Sequence, residues 1–120
     1  MRFQMTFPDN FTTKDKIELL ERSILVNSVA YYELNGNLLS DYQYDMNAMQ
    51  LATLKRESPE DFKASRYYAY FHDYCSEDDN QHYTSGFDLL RKVERKDPGL
   101  YRRLRIDANL ALDLKEARLR

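Results

Sequence analysis

Tyr31-Tyr32-Glu33-Leu34-Asn35-Gly36-Asn37-Leu38-Leu39-Ser40-Asp41-Tyr42-Gln43-Tyr44-Asp45 is the stretch whose reading decides the fold. Asn35-Gly36-Asn37 stops one helix, because Asn and Gly tolerate the left-handed backbone that commonly ends a helix. Ser40 opens the next, with Gln43 three residues on to complete a capping box. A helix, a short turn and a second helix running back along the first are therefore expected.

Outward from the turn, the same logic covers the rest of the chain. Ile17, Leu20, Ile24, Leu25, Val29 and Tyr32 recur at helical spacing, so the first helix spans about residues 13–34, with Thr12 or Thr13 as its cap and Asp15 three residues after Thr12. Before it, residues 1–11 carry Phe3, Phe7, Pro8 and Phe11 and read as an extended arm anchored by aromatics. The second helix keeps Met46, Met49, Leu51 and Leu54 through about Arg56. Ser58-Pro59-Glu60-Asp61 combines a capping serine, a proline at the first helical position and acids favoured by the helix dipole, so a third helix is expected over 59–75. It carries Phe62, Tyr67, Tyr68, Tyr70, Phe71 and Tyr74, more aromatics than one buried stripe absorbs, and some are expected at the surface. Residues 76–84 are polar and acidic and read as a loop. Ser85 can cap a fourth helix to about Lys96, and Asp97-Pro98 starts a fifth that offers Leu100, Leu104, Ala108, Ala111 and Leu112 for packing.

Composition agrees with an all-α, single-domain bundle of about five helices over 1–120, divided into the arm, the helix pair at 13–57 and further helices over 58–120. Three glycines and three prolines are too few for a turn-rich β sandwich, and 120 residues with 42% apolar content fill one core. Cys75 is the sole cysteine, so no intrachain disulfide forms. No stretch approaches the ~20 continuous apolar residues of a membrane span, and Met1 to Asn10 lacks a signal-peptide run, so a cytoplasmic protein without a membrane partner is expected. The net charge of −2 hides an asymmetry: residues 1–88 hold 8 Lys/Arg against 15 Asp/Glu, and 89–120 hold 10 against 5. Either the two ends attract within one fold or they form opposite binding faces.

The pattern Tyr31-Tyr32, turn, Ser40-Asp41-x-x-Tyr44-Asp45 resembles the N-terminal helical subdomain, called Ia, of bacterial NAD-dependent DNA ligases over about residues 13–57. That subdomain grips the nicotinamide mononucleotide half of NAD. The resemblance implies that Tyr31, Tyr32, Asp41, Tyr44 and Asp45 bind the nucleotide. An aromatic face stacks on a cationic ring, and carboxylates accept hydrogen bonds from ribose hydroxyls. The ligase nucleophile lies in Lys-x-Asp-Gly, and none of Gly36, Gly86 or Gly99 completes that motif, so a chain without catalytic residues or a required cofactor is expected.

Two further sites suggest themselves. Glu57, Glu60, Asp61, Tyr67, Tyr70, Asp73, Tyr74, Glu77, Asp78 and Asp79 make an acidic, tyrosine-rich set suited to occupying a host protein's site. Small acidic phage inhibitors of nucleic-acid enzymes, including anti-CRISPR proteins, share this composition, and a non-catalytic interaction protein of that kind is the leading expectation. Arg91, Lys92, Arg95, Lys96, Tyr101, Arg102, Arg103 and Arg105 form a basic cluster that could contact nucleic acid, against a sequence pI near 5.7. Asp41 and Asp45 lack a third ligand at metal-binding spacing, and His72, Cys75 and His82 fit no zinc pattern, so no metal is assigned.

Overall fold

A computed structural model describes residues 7–74 and 86–118. Among them are six helices: α1 (Thr13–Glu33), α2 (Asp41–Glu57), α3 (Pro59–Lys63), α4 (Tyr68–Phe71), α5 (Gly86–Lys96) and α6 (Pro98–Arg118). Local sequence explains their starts. The Thr12 hydroxyl accepts from the Asp15 amide at 3.1 Å while the Asp15 carboxylate accepts from the Thr12 amide at 3.0 Å. Ser40 and Gln43 repeat the arrangement at the start of α2, both bonds at 3.1 Å. Each reciprocal pair satisfies donors that a helix end leaves without intrahelical partners. At α6, Asp97 accepts from the Leu100 amide at 3.0 Å and Pro98 follows as the first helical residue.

Asn35 takes the left-handed conformation at the end of α1, with φ of 53°. Gly36 fits the turn for a different reason. It does not adopt positive φ, but a Cβ there would lie 2.7 Å from Leu112 Cδ2, so the turn passes close against α6 and the Leu112 side chain would have to shift to admit a larger residue.

α1 is the axis of the bundle. Its Ile17, Leu20, Ile24, Leu25 and Val29 are fully buried, and α2, α3, α5 and α6 pack around it. Phe62, Phe71, Leu89, Leu90, Val93 and Leu104 close the core from the other helices. Phe7 and Phe11 of the arm lie 6.4 Å apart, and Phe7 packs against that core. Phe3 of the arm and the acidic stretch 76–84 fall outside the described residues.

The helix expected over 59–75 is instead two short ones, which raises the count from five to six. α1 causes the break. Glu18 accepts from the Arg66 backbone amide at 2.7 Å, and the buried Glu21 accepts from the Ser65 hydroxyl at 3.2 Å. A backbone donor taken by a distant carboxylate is lost to the helical ladder, so the chain turns at residues 64–67. The turn re-aims the aromatics that follow. Tyr67, Tyr70, Phe71 and Tyr74 all become buried, and of the tyrosines expected at the surface only Tyr68 keeps partial exposure.

Candidate functional site

The C-terminal half of α1, the turn after it and the first turn of α2 enclose a cavity of about 390 Å³. Tyr31, Tyr32, Asp41, Tyr44 and Asp45 all line it, joined by Asn27, Ser28 and residues 37–39. Helical spacing brings these groups together: Asn27 and Ser28 lie one turn before Tyr31 and Tyr32, and Asp41 one turn before Tyr44 and Asp45. Asn27 and Ser28 were not among the sequence candidates, although their spacing from the tyrosine pair carried the signal.

Tyr44 forms the floor. Its hydroxyl lies 3.2 Å from Ser28 Oγ, and Ser28 donates to the Ile24 carbonyl at 2.7 Å, so the Tyr44 hydroxyl is the donor in their contact. Burial raises the Tyr44 pKa, and the Ser28 bond only partly offsets this, so the phenol stays neutral and keeps its proton for that bond. The rim is aromatic and open. Tyr31 and Tyr32 are 56% and 45% exposed and meet edge to face at 4.9 Å, and Tyr32 meets Phe87 at 6.0 Å. The start of α5 backs this wall: a Cβ on Gly86 would lie 2.6 Å from Ser28 Oγ and 3.1 Å from both the Tyr32 ring and the Tyr44 hydroxyl. Gly86 and Phe87 lie far along the chain, and nothing in the local pattern pointed to them.

The electrostatics have one sign. Asp41 and Asp45 face the cavity, and no Lys or Arg among the described residues lines it. Asn27 donates through its amide nitrogen to the Ser23 carbonyl at 2.6 Å, while its buried Oδ1 has no hydrogen-bond partner among the described residues. Tyrosine faces and two carboxylates suit a cationic ring. Across the turn, a shallower hollow shares residues 37–39 and Asp41 and extends to Ser40, Gln43 and Lys115, whose ammonium donates to the Asn37 carbonyl. Residues 37–39 and Asp41 thus border both the aromatic, acidic cavity and the hollow that holds Lys115.

The other candidates are placed differently. Tyr67, Tyr70 and Tyr74 are buried core residues, which corrects the expectation that they anchor a partner at the surface. Tyr67 accepts a hydrogen bond from Arg22 at 3.2 Å, and Lys55 donates to the Tyr74 carbonyl at 3.2 Å. Glu57, Glu60 and Asp73 are exposed and Asp61 is half-buried, while Glu77, Asp78 and Asp79 lie outside the described residues. The Asp73 carboxyl is held below its usual pKa by Lys92, 2.6 Å away.

In the basic third, Arg91 and Arg105 reach Glu33 at 3.1 and 3.2 Å, and the Tyr101 hydroxyl donates to the same carboxylate. The opposite charges of the chain's two ends thus meet inside one fold. Four of the candidate nucleic-acid residues, Arg91, Lys92, Tyr101 and Arg105, are engaged with the chain's own groups, whereas Arg95, Lys96, Arg102 and Arg103 are exposed.

Among the described residues no three His, Cys, Asp or Glu side chains cluster at metal-binding distance, and no helix is long and apolar enough to cross a membrane. His72 is exposed with its ring 5.7 Å from Tyr68, and Cys75 and His82 lie outside the described residues. No family model, curated protein or solved structure matches this chain.

Proposed function

We propose that the chain is a non-catalytic binding protein whose pocket between α1 and α2 takes a cationic nicotinamide nucleotide, nicotinamide mononucleotide or the corresponding half of NAD. The observation that carries this reading is the convergence of Tyr31, Tyr32, Asp41, Tyr44 and Asp45 on one cavity. The ring's positive charge suits the tyrosine faces and the two carboxylates of the cavity, and the phosphate suits Lys115 in the neighbouring hollow. The ligand reading moves ahead of the expected inhibitor of a host nucleic-acid enzyme because burial of Tyr67, Tyr70 and Tyr74 removes the tyrosines of the acidic set from the surface, whereas Tyr31 and Tyr32 stay exposed around the cavity.

Thermal unfolding with added nucleotide tests it, since a ligand that binds only the folded state raises the melting temperature. Nicotinamide mononucleotide and NAD are expected to raise it, and NADH, whose dihydropyridine ring is neutral, to bind ~10-fold or more weakly because it forfeits the cation–π and carboxylate attraction. No shift at millimolar nucleotide, or equal shifts with oxidised and reduced forms, would contradict it.

A further inference from the structure

α6 has two apolar faces. Leu100, Leu104 and Ala108 are buried against the bundle, whereas Ile106, Leu110 and Leu114, spaced one turn apart, are 58%, 56% and 61% exposed. At ~100° per residue these two sets lie on roughly opposite sides of the helix. A one-sided helix needs no further partner, and α5 is close to that pattern: Leu89, Leu90 and Val93 face inward, Asp88, Glu94, Arg95 and Lys96 are exposed, and its one exposed large apolar side chain, Phe87, meets Tyr32. On α6 a continuous apolar stripe is turned toward solvent, and such a stripe marks a contact surface.

The charges on the stripe say what fits it. Arg103 lies two turns before Leu110, and Asp113 two turns after Ile106, so both exposed groups sit on the same face as the apolar residues. We propose that the partner is a second copy of this chain, its α6 packed antiparallel across a two-fold axis at the level of Ala108. That axis sets Ile106 against the second copy's Leu110 and Arg103 against its Asp113, and symmetry repeats both pairs. Gly99 falls opposite Ala117, leaving the ends unobstructed, and the Arg102 stem covers Leu114. A parallel pairing in register would set arginine against arginine and aspartate against aspartate, so the charge pattern selects the antiparallel one. One helix face is small beside the ~800 Å² per partner of a standard interface, so the dimer is a concentration-dependent one. The inference stands independently of the nucleotide pocket.

Sedimentation equilibrium over a range of protein concentrations, with circular dichroism to confirm that each variant is folded, tests it. The wild-type chain is expected to pass from monomer to dimer, and Leu110→Asp to remain monomeric. Arg103→Asp and Asp113→Arg, made singly, each oppose like charges twice and are expected to weaken the dimer ~10-fold or more. The double exchange restores the pairing and with it the affinity. A wild-type chain that stays monomeric to ~1 mM, well above the range of specific association, would overturn the proposal, whether or not another protein binds the stripe. So would a dimer that the double exchange fails to restore.

Discussion

The C-terminal half of α1 faces an open cavity through Asn27, Ser28, Tyr31 and Tyr32, whereas its N-terminal half closes on the turn between α3 and α4 through Glu18, Glu21 and Arg22. Both ends are rich in tyrosine and carboxylate, yet they use them oppositely. At the closed end Tyr67 and Tyr70 are core residues, and Glu21 is fully buried with one oxygen on Ser65 and the other without a partner among the described residues. At the open end Tyr31, Tyr32, Asp41 and Asp45 stay exposed around a cavity. Residue type alone therefore does not separate a binding surface from a core. What separates them is how far a neighbouring element fills the space in front: beside Arg22 and Tyr67 it leaves only a shallow, open hollow.

The sharpest way to break the comparison is to damage each end and ask whether folding or binding suffers. Phe71 is almost completely buried at the closed end, and Phe71→Ala is expected to cost ~3–5 kcal/mol in urea unfolding. A smaller loss would show that this end is less tightly filled than its burial implies.

Next in size is the pH response of Glu21. Burial pushes its carboxyl from 4.5 up to about 8, helped by the nearby Glu18 charge and opposed by the Ser65 bond. Between those values the folded chain holds a proton that the unfolded chain has released, so stability falls as pH rises from about 4.5 through about 8. The loss is on the order of a few kcal/mol. Glu21→Gln cannot ionise and is expected to flatten that decline, giving a variant more stable than the parent above pH 8. Unfolding midpoints measured from about pH 4 to 9, a range that spans the ~4.5–8 window of the linkage, read this directly. Parallel declines in both proteins would remove Glu21 as the cause.

Where α5 backs the open end, Gly86→Ala forces a Cβ toward Ser28 and Tyr44 and is expected to cost ~1–3 kcal/mol while weakening nucleotide binding. Tyr31→Ala and Asp45→Asn complete the series. Both side chains are exposed, so stability should change by less than ~0.5 kcal/mol. Nucleotide affinity measured by calorimetry should nevertheless fall ~10-fold, the loss of one ring or charge contact to a cation. A binding loss no larger than that of an exposed variant at the closed end, such as Glu60→Gln, would erase the distinction between the two ends.

The sequence made local structure readable and long-range structure not. Thr12 with Asp15 and Ser40 with Gln43 announce helix starts because both partners lie within one turn. Asp97-Pro98 does the same for α6. The interruption between α3 and α4 was hidden because its agents, Glu18 and Glu21, lie more than 40 positions away from Arg66 and Ser65. Once the chain turns there, the crowded tyrosines need no surface, which is why an aromatic interface looked plausible from spacing alone. The pocket divides the same way. Its tyrosines and aspartates come from one continuous stretch folded by two capped helices, whereas Gly86 and Phe87 arrive from α5 through packing that no local pattern records.

The claim at the centre of these results is that the open end of α1 holds a cationic nicotinamide nucleotide. Titration of nicotinamide mononucleotide into isotopically labelled protein, followed by amide NMR shifts, tests it most directly. Saturable shifts centred on residues 27–45 and Gly86, and lost in the Asp41→Asn, Asp45→Asn double variant, are the expected result. No shifts at millimolar ligand, or shifts centred on the closed end or on α6, would contradict it.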